Sequence, residues 1–167
     1  AALSAHVDDA PFYESQIAAC GMSVEYAKDG PNTVTLRVRG GLSEALSAEG
    51  LRKNKHIPAA YLRASVEQRW ALLQGLMDTD GTISAEGVSC EFSSARPEIV
   101  EGFVELVASL GLKPRVAFKG TTWTYRDERR YGSAWRITFP VPPGRQPFRL
   151  PRKAHRVKPA QTEVEAR

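Results

Sequence analysis

Cysteine and histidine are scarce in this chain. Cys20 and Cys90 stand alone, and His6, His56 and His155 are scattered, so no pair has metal-type spacing. Neither a disulfide framework nor a zinc site is expected on that ground. The two thiols read as reduced core cysteines of a cytoplasmic protein. Long apolar runs are missing too. None approaches the ~20 residues that a membrane span needs, and no signal peptide is visible. A 42% hydrophobic, 25% charged composition over 167 residues is that of a globular protein with one medium domain or two small ones.

Acidic residues are thin in the final third. From Lys113 to Arg167 there are 14 Lys and Arg against 4 acids, a net charge of +10, whereas the preceding residues carry −6. A modest overall charge of +4 therefore hides a strongly basic segment. Such a surface suits a phosphate backbone, although a solvated face would have the same composition.

The most informative stretch is Leu73-Gln-Gly-Leu-Met-Asp-Thr-Asp-Gly81. Val66, Trp70, Leu73, Leu76 and Met77 recur at helical spacing, which predicts an amphipathic helix from Val66 to Met77. Gly81 is expected to end it as a left-handed residue. Asp78 and Asp80 then fall in the last turn or just beyond, where the exposed carbonyls make the field negative. A carboxylate there is disfavoured by roughly 0.3–1 kcal/mol unless a cation compensates. Two acids at that place suggest a metal. An EF-hand is excluded, because its loop needs a bidentate Glu at position twelve and counting from Asp78 reaches Ser89.

Alternation and turn residues predict the remaining elements. Leu3 to Val7 reads as a strand, and Asp8-Asp9-Ala10-Pro11 opens a helix that Cys20-Gly21 stops. Strands follow at Val24 to Tyr26 and Thr33 to Val38, around the turn from Lys28 to Asn32. Further on, Val88 to Phe92 is a strand, and a helix with Pro97 near its first position runs to Gly111. Strands at Pro114 to Lys119 and Ala134 to Phe139 flank the basic, aromatic segment Trp123 to Tyr131. Pro11 matches Pro97 and Gly21 matches Gly111, so two copies of one pattern lie roughly ninety residues apart. Strand–helix–strand–strand in each copy predicts an α+β protein of two pseudo-symmetric lobes with antiparallel sheets.

The stretch from Leu73 to Gly81 closely resembles the LAGLIDADG motif of homing endonucleases. Gly75, Leu76, Asp78, Asp80 and Gly81 fall at the family's positions, and Met77 replaces its second aliphatic residue. The resemblance implies two αββαββα lobes with saddle-shaped sheets over the DNA major groove. It also implies that two such motif helices pack side by side at the centre and that the last acid of each binds a divalent metal. By that match Asp80 is the catalytic acid, Asp80 with Gly81 forms the metal site, and Asp78 serves the helix end. The implied cofactor is Mg²⁺ or Mn²⁺. The implied partner is double-stranded DNA with a long asymmetric target site.

Two further segments resemble blocks of intein-borne homing endonucleases. The first is Leu51 to Leu62, in which Lys55 precedes Ile57-Pro58. The second is Phe148-Arg-Leu-Pro-Arg-Lys153. Lys55 and Lys153 thereby match the family's active-site lysines. Arg126, Arg129, Arg130 and Arg136, interleaved with aromatic residues, and Lys119 beside them are the expected DNA contacts of the second lobe. Arg37 and Arg39 are those of the first. For Trp135 ordinary sheet packing is the preferred reading. The expected layout is a first lobe over 1–62, a second over 63–158, and a tail over 159–167 leading towards a splicing domain.

Asp80 lies 17 residues before Pro97, so the matching acid of the first lobe would precede residue 1. The expectation is a chain that starts after its first motif helix, monomeric within a two-motif parent, with a homodimer as the less favoured arrangement. Splicing is not expected of the chain, which has neither an N-terminal nucleophilic Cys nor a C-terminal His-Asn. The rival readings are a non-cleaving DNA-binding module and a decayed insert of a protein-splicing element.

Overall fold

A computed structural model describes residues 1–28, 30–125 and 128–158, with the side chains of Lys28, Thr121, Trp123 and Tyr125 left aside. Asp29, Arg126, Asp127 and the expected tail at 159–167 lie outside the described residues. The chain divides into two compact units, Ala1–Lys55 and a second that begins at His56.

The first unit contains β1 (Ala2–His6), a 3₁₀ turn (Val7–Asp9), α1 (Ala10–Ala19), β2 (Ser23–Lys28), β3 (Thr33–Arg39) and α2 (Leu42–Ala48). Its sheet is antiparallel in the order β1-β3-β2. In β3, Val34, Leu36 and Val38 are buried while Thr33, Arg37 and Arg39 are exposed, the period-two pattern of a half-covered strand. Ala10, Val34 and Leu36 form the small core, with Leu3, Tyr13 and Val24 against it. Gly21 sits at φ 73, a left-handed conformation that stops α1 as the sequence predicts.

The second unit contains α3 (Ala59–Leu62), α4 (Val66–Asp80), β4 (Gly81–Ile83), β5 (Ser89–Ser94), α5 (Pro97–Ser109), β6 (Arg115–Tyr125), β7 (Glu128–Pro140) and α6 (Pro151–Ala154). From α4 to α6 this is the αββαββα order. The sheet is antiparallel throughout, in the order β4-β5-β7-β6. Trp70, Leu73 and Met77 of α4 join Phe103, Leu106 and Val107 of α5 over Cys90, Phe92, Ile137 and Phe139 of the sheet. The Phe92 and Phe103 rings stack at 4.0 Å. Residues 56–62, read from the sequence with the first lobe, belong here, because Ile57 and Leu62 bury their side chains in this second core.

Three sequence expectations change. First, α4 opens on a capping box, in which Ser65 and Gln68 satisfy each other's backbone N–H groups, and it runs through Asp80. Gly81 does not end it as a left-handed residue: its φ is −84 and its ψ 159, the start of β4. Glycine is required there for space, since a Cβ would lie 2.6 Å from Met77 Cα and 2.7 Å from Met77 O. Second, a strand not expected from the sequence, β4, follows the motif helix, its three residues too short for an alternation signal. Third, the basic, aromatic segment is not a separate connection. β6 and β7 pair continuously from Arg115–Thr138 out to Tyr125–Glu128, so that segment is the far half of one long hairpin.

Candidate active site at the end of helix α4

Asp78 and Asp80 stand two residues apart and have opposite surroundings. Asp78 is buried, at 3% exposure. Its Oδ1 accepts the backbone N–H groups of Arg149 and Leu150, each at 2.9 Å. Its Oδ2 lies 3.4 Å from Arg149 Nε in an ion pair. Asp80, the last residue of α4, is exposed. The Thr79 hydroxyl beside it donates back to the Leu76 carbonyl at 3.1 Å.

The cation that the helix end calls for is supplied by the protein. Lys153 Nζ, on α6, lies 2.6 Å from Asp78 O, 2.7 Å from Gly81 O, 3.0 Å from Met77 O and 3.3 Å from Thr79 O. An ammonium has three N–H donors, which serve the three nearest oxygens. It offsets the negative end of the helix dipole, where the last carbonyls of α4 face it. The guanidinium of Arg149 lies over Gly75, where a Cβ would sit 3.6 Å from its Nη2. The sequence signals Lys153 but not Arg149, although both belong to the segment from Phe148 to Lys153.

This arrangement bears directly on a metal. Mg²⁺ takes oxygen ligands and usually keeps several waters, using one or two carboxylates with substrate phosphates. The exposed Asp80 carboxylate fits that role. The Gly81 carbonyl, expected beside it as a ligand, accepts from Lys153 instead. Among the described residues no group of three or more His, Cys, Asp or Glu side chains could hold a metal ion. Asp80 would therefore contribute one ligand of a set completed by other oxygens. Lys55 is exposed in the coil that closes the first unit.

The basic residues sort by strand parity, because residues two apart share a face. On β7, Arg130 and Arg136 alternate with the buried Ile137 and Phe139 and so lie on the solvent face. Register places Lys119, opposite Ala134, on that face, and with it Arg115, opposite Thr138. Arg129 is on the other face with Tyr131, whose ring lies 5.7 Å from its guanidinium. The sequence groups Arg129 with Arg130; the hairpin separates them. Arg126 lies outside the described residues. Trp135 is partly buried against the core and meets Phe118 at 4.9 Å, which is packing as expected.

Several of these cations have acidic neighbours. Arg136 pairs with Glu91 at 2.9 Å, Arg130 with Glu128 at 3.4 Å, and Arg39 with Glu25 at 2.8 Å. The hydrogen bond and charge of Arg39, with a smaller contribution from Arg37, hold the Glu25 carboxyl below the usual carboxylate range. Arg115 and Lys119 have no ion-pair partner among the described residues. Arg115 also lines a surface cavity of about 280 Å³ with Lys113, Ser89 and Thr138. Arg115 carries no local sequence signal, because no aromatic cluster surrounds it.

Residues 67–136 match the family described as LAGLIDADG-like domain. Residues 67–136 carry a LAGLIDADG-like domain. That stretch runs from the first turn of α4, through the acidic helix end, to Arg136. The replicative DNA helicase DnaB of Mycobacterium intracellulare is 42% identical over 80 residues. That match covers 48% of this chain and only 14% of the helicase, so the chain corresponds to a small part of that protein. Among solved structures, the LAGLIDADG-bearing chain is similar to I-DmoI in complex with DNA and calcium. The TM-score is 0.60 at 12% identity, over 92% of this chain and 80% of that one. Mesophilic variants of the homing endonuclease I-DmoI match with a TM-score of 0.55 at 11% identity, over 83% of this chain and 66% of theirs. The fold is thus the LAGLIDADG homing endonuclease fold, α+β with antiparallel sheets in two groups.

Proposed function

We propose that the chain is the endonuclease part of an intein, acting in the cytoplasm, and that it hydrolyses both strands of a long, asymmetric double-stranded DNA site with Mg²⁺ or Mn²⁺. The observation that carries this reading is the division of labour between two acids. Asp78 is buried and committed to the chain at 149–150, whereas Asp80 presents a solvent-facing carboxylate at the end of the motif helix. A bound divalent ion at such a carboxylate would lower the pKa of a water and neutralise charge on the phosphate oxygens. Asp80 would hold the ion together with DNA phosphates and a second acid in a cleavage-competent form of the protein. Lys55, by its match to the family's active-site lysine, would stabilise charge developing on the phosphate.

The solvent faces of the two sheets supply the DNA contacts in this reading. Arg37 and Arg39 serve the first unit, and Arg115, Lys119, Arg130 and Arg136 the second. An arginine on a strand in the major groove can read guanine bidentately, while its neighbours position the protein on phosphates. The partial identity to a replicative helicase supports a host gene of that kind, interrupted by the element.

The test is cleavage of supercoiled plasmid bearing the uninterrupted host-gene site in Mg²⁺. The protein should linearise it, and Asp80→Asn should abolish linear product while leaving DNA affinity nearly unchanged. Undiminished cutting by Asp80→Asn removes Asp80 from the chemistry. Site-specific binding without cutting by the parent makes the protein a DNA-binding module instead.

A further inference from the structure

Lys153 and Asp78 tie the end of α4 and the chain entering α6 to each other. The carboxylate from the end of α4 takes the N–H groups of Arg149 and Leu150, immediately ahead of α6. The ammonium from α6 takes the carbonyls at the end of α4. Phe148 and Leu150, each at most 1% exposed, bury the chain between these two contacts. The segment from Phe148 to Lys153 is therefore fastened to the last turn of α4 at both of its ends. Asp80 is the residue so framed, since Lys153 Nζ lies against the carbonyls on either side of it, those of Thr79 and Gly81.

We propose that Lys153 is a positioning residue: it fixes the last turn of α4, and thereby the direction of the Asp80 carboxylate, rather than touching water or phosphate itself. This rests on the endonuclease reading for its link to a metal, but the fastening does not depend on it. A lysine whose donors are taken up by three carbonyls has no N–H left for a reacting water. Without it, those carbonyls must turn to solvent, the last turn frays, and the Asp80 carboxylate samples directions that do not meet an ion. The geometry thus gives Lys153 a task at the helix end itself.

The test compares the 167-residue chain with Lys153→Met, and with Lys153→Gln should the Met variant not fold. Amide hydrogen exchange in the last turn of α4, from Met77 to Gly81, should accelerate about tenfold or more, while amides of Phe103 to Val107 in α5 stay unchanged. Equal exchange in variant and parent overturns the proposal, whether or not the protein cuts DNA. A second readout uses Mn²⁺ alone as the probe. The Mn²⁺ concentration that half-broadens the Asp80 amide signal should rise about fivefold or more in the variant. An unchanged Mn²⁺ midpoint with faster exchange overturns the positioning role. Absence of broadening in the parent counts against the metal reading, leaving the exchange result to decide the fastening. In a cleaving form, the Mg²⁺ requirement should rise more than the rate at saturating Mg²⁺ falls. A rate loss at saturation with the Mg²⁺ requirement unchanged would restore Lys153 as a catalytic group.

Discussion

Asp78 and Arg149 are joined twice: the Arg149 backbone N–H donates to Asp78 Oδ1 at 2.9 Å, and its guanidinium lies 3.4 Å from Oδ2. Seventy-one residues separate them along the chain, so this contact closes the second unit over the end of its motif helix. Asp78→Ala would leave two N–H groups at 149 and 150 without their acceptor and a guanidinium without its partner. A loss of about 2–4 kcal/mol in urea unfolding is expected, with Asp78→Asn costing about half as much, because an amide oxygen still accepts. A change below ~0.5 kcal/mol for Asp78→Ala would refute the structural role.

Gly81 is constrained by packing rather than by backbone angle. A methyl group at 81 would meet Met77 Cε at 2.5 Å and Met77 Cα at 2.6 Å, and the backbone atom cannot move aside without unwinding α4. Gly81→Ala should destabilise the protein by about 1–3 kcal/mol in thermal or urea unfolding. It should also misplace Asp80. If stability is unchanged, the close approach of β4 to α4 is wrong.

The two faces of the β6–β7 hairpin should separate in DNA-binding experiments. Replacing Arg115 and Lys119 by Ala should lower the slope of log affinity against log salt by about 2, roughly 0.9 for each phosphate no longer neutralised. Arg129→Ala, on the opposite face, should leave the slope where it is. Arg136→Ala should act weakly on the slope, because Glu91 already lies beside that guanidinium. Equal effects from Arg115, Arg129 and Arg136 would return the segment to a solvated surface.

The two cysteines differ in reactivity. Cys90 is buried in the second core, and desolvation pushes its thiol up from 9.0 to about 12. Cys20 is exposed. At pH 8.5, iodoacetamide should add one carbamidomethyl group, at Cys20, and a second at Cys90 only after denaturation, as read by peptide mass spectrometry. The sign for stability follows from the raised value. Folding favours the neutral thiol, so this contribution is complete below pH 9 and is lost as pH rises from about 9 towards about 12. Rapid alkylation of Cys90 in the native protein would contradict its burial.

The local chemistry of the chain determined much of this. Helical spacing from Val66 to Met77, Pro97 at a helix start, and Gly21 and Gly111 in left-handed turns are short-range features, each written in a few neighbouring residues. The strand–helix–strand–strand order of each copy follows from them, whereas the three residues of β4 carry no alternation signal. Tertiary structure decided what each charged group is for. Asp78 and Asp80 are the same residue type two positions apart, and only the return of residues 148–153 buries one and leaves the other in solvent. Lys153 is a surface-type cation until α6 brings it to the carbonyls of α4. Arg129 and Arg130 are neighbours in sequence, yet strand parity sends them to opposite faces once the hairpin fixes its register. Such assignments depend on contacts over seventy residues or on one-residue register, and neither is encoded in local spacing.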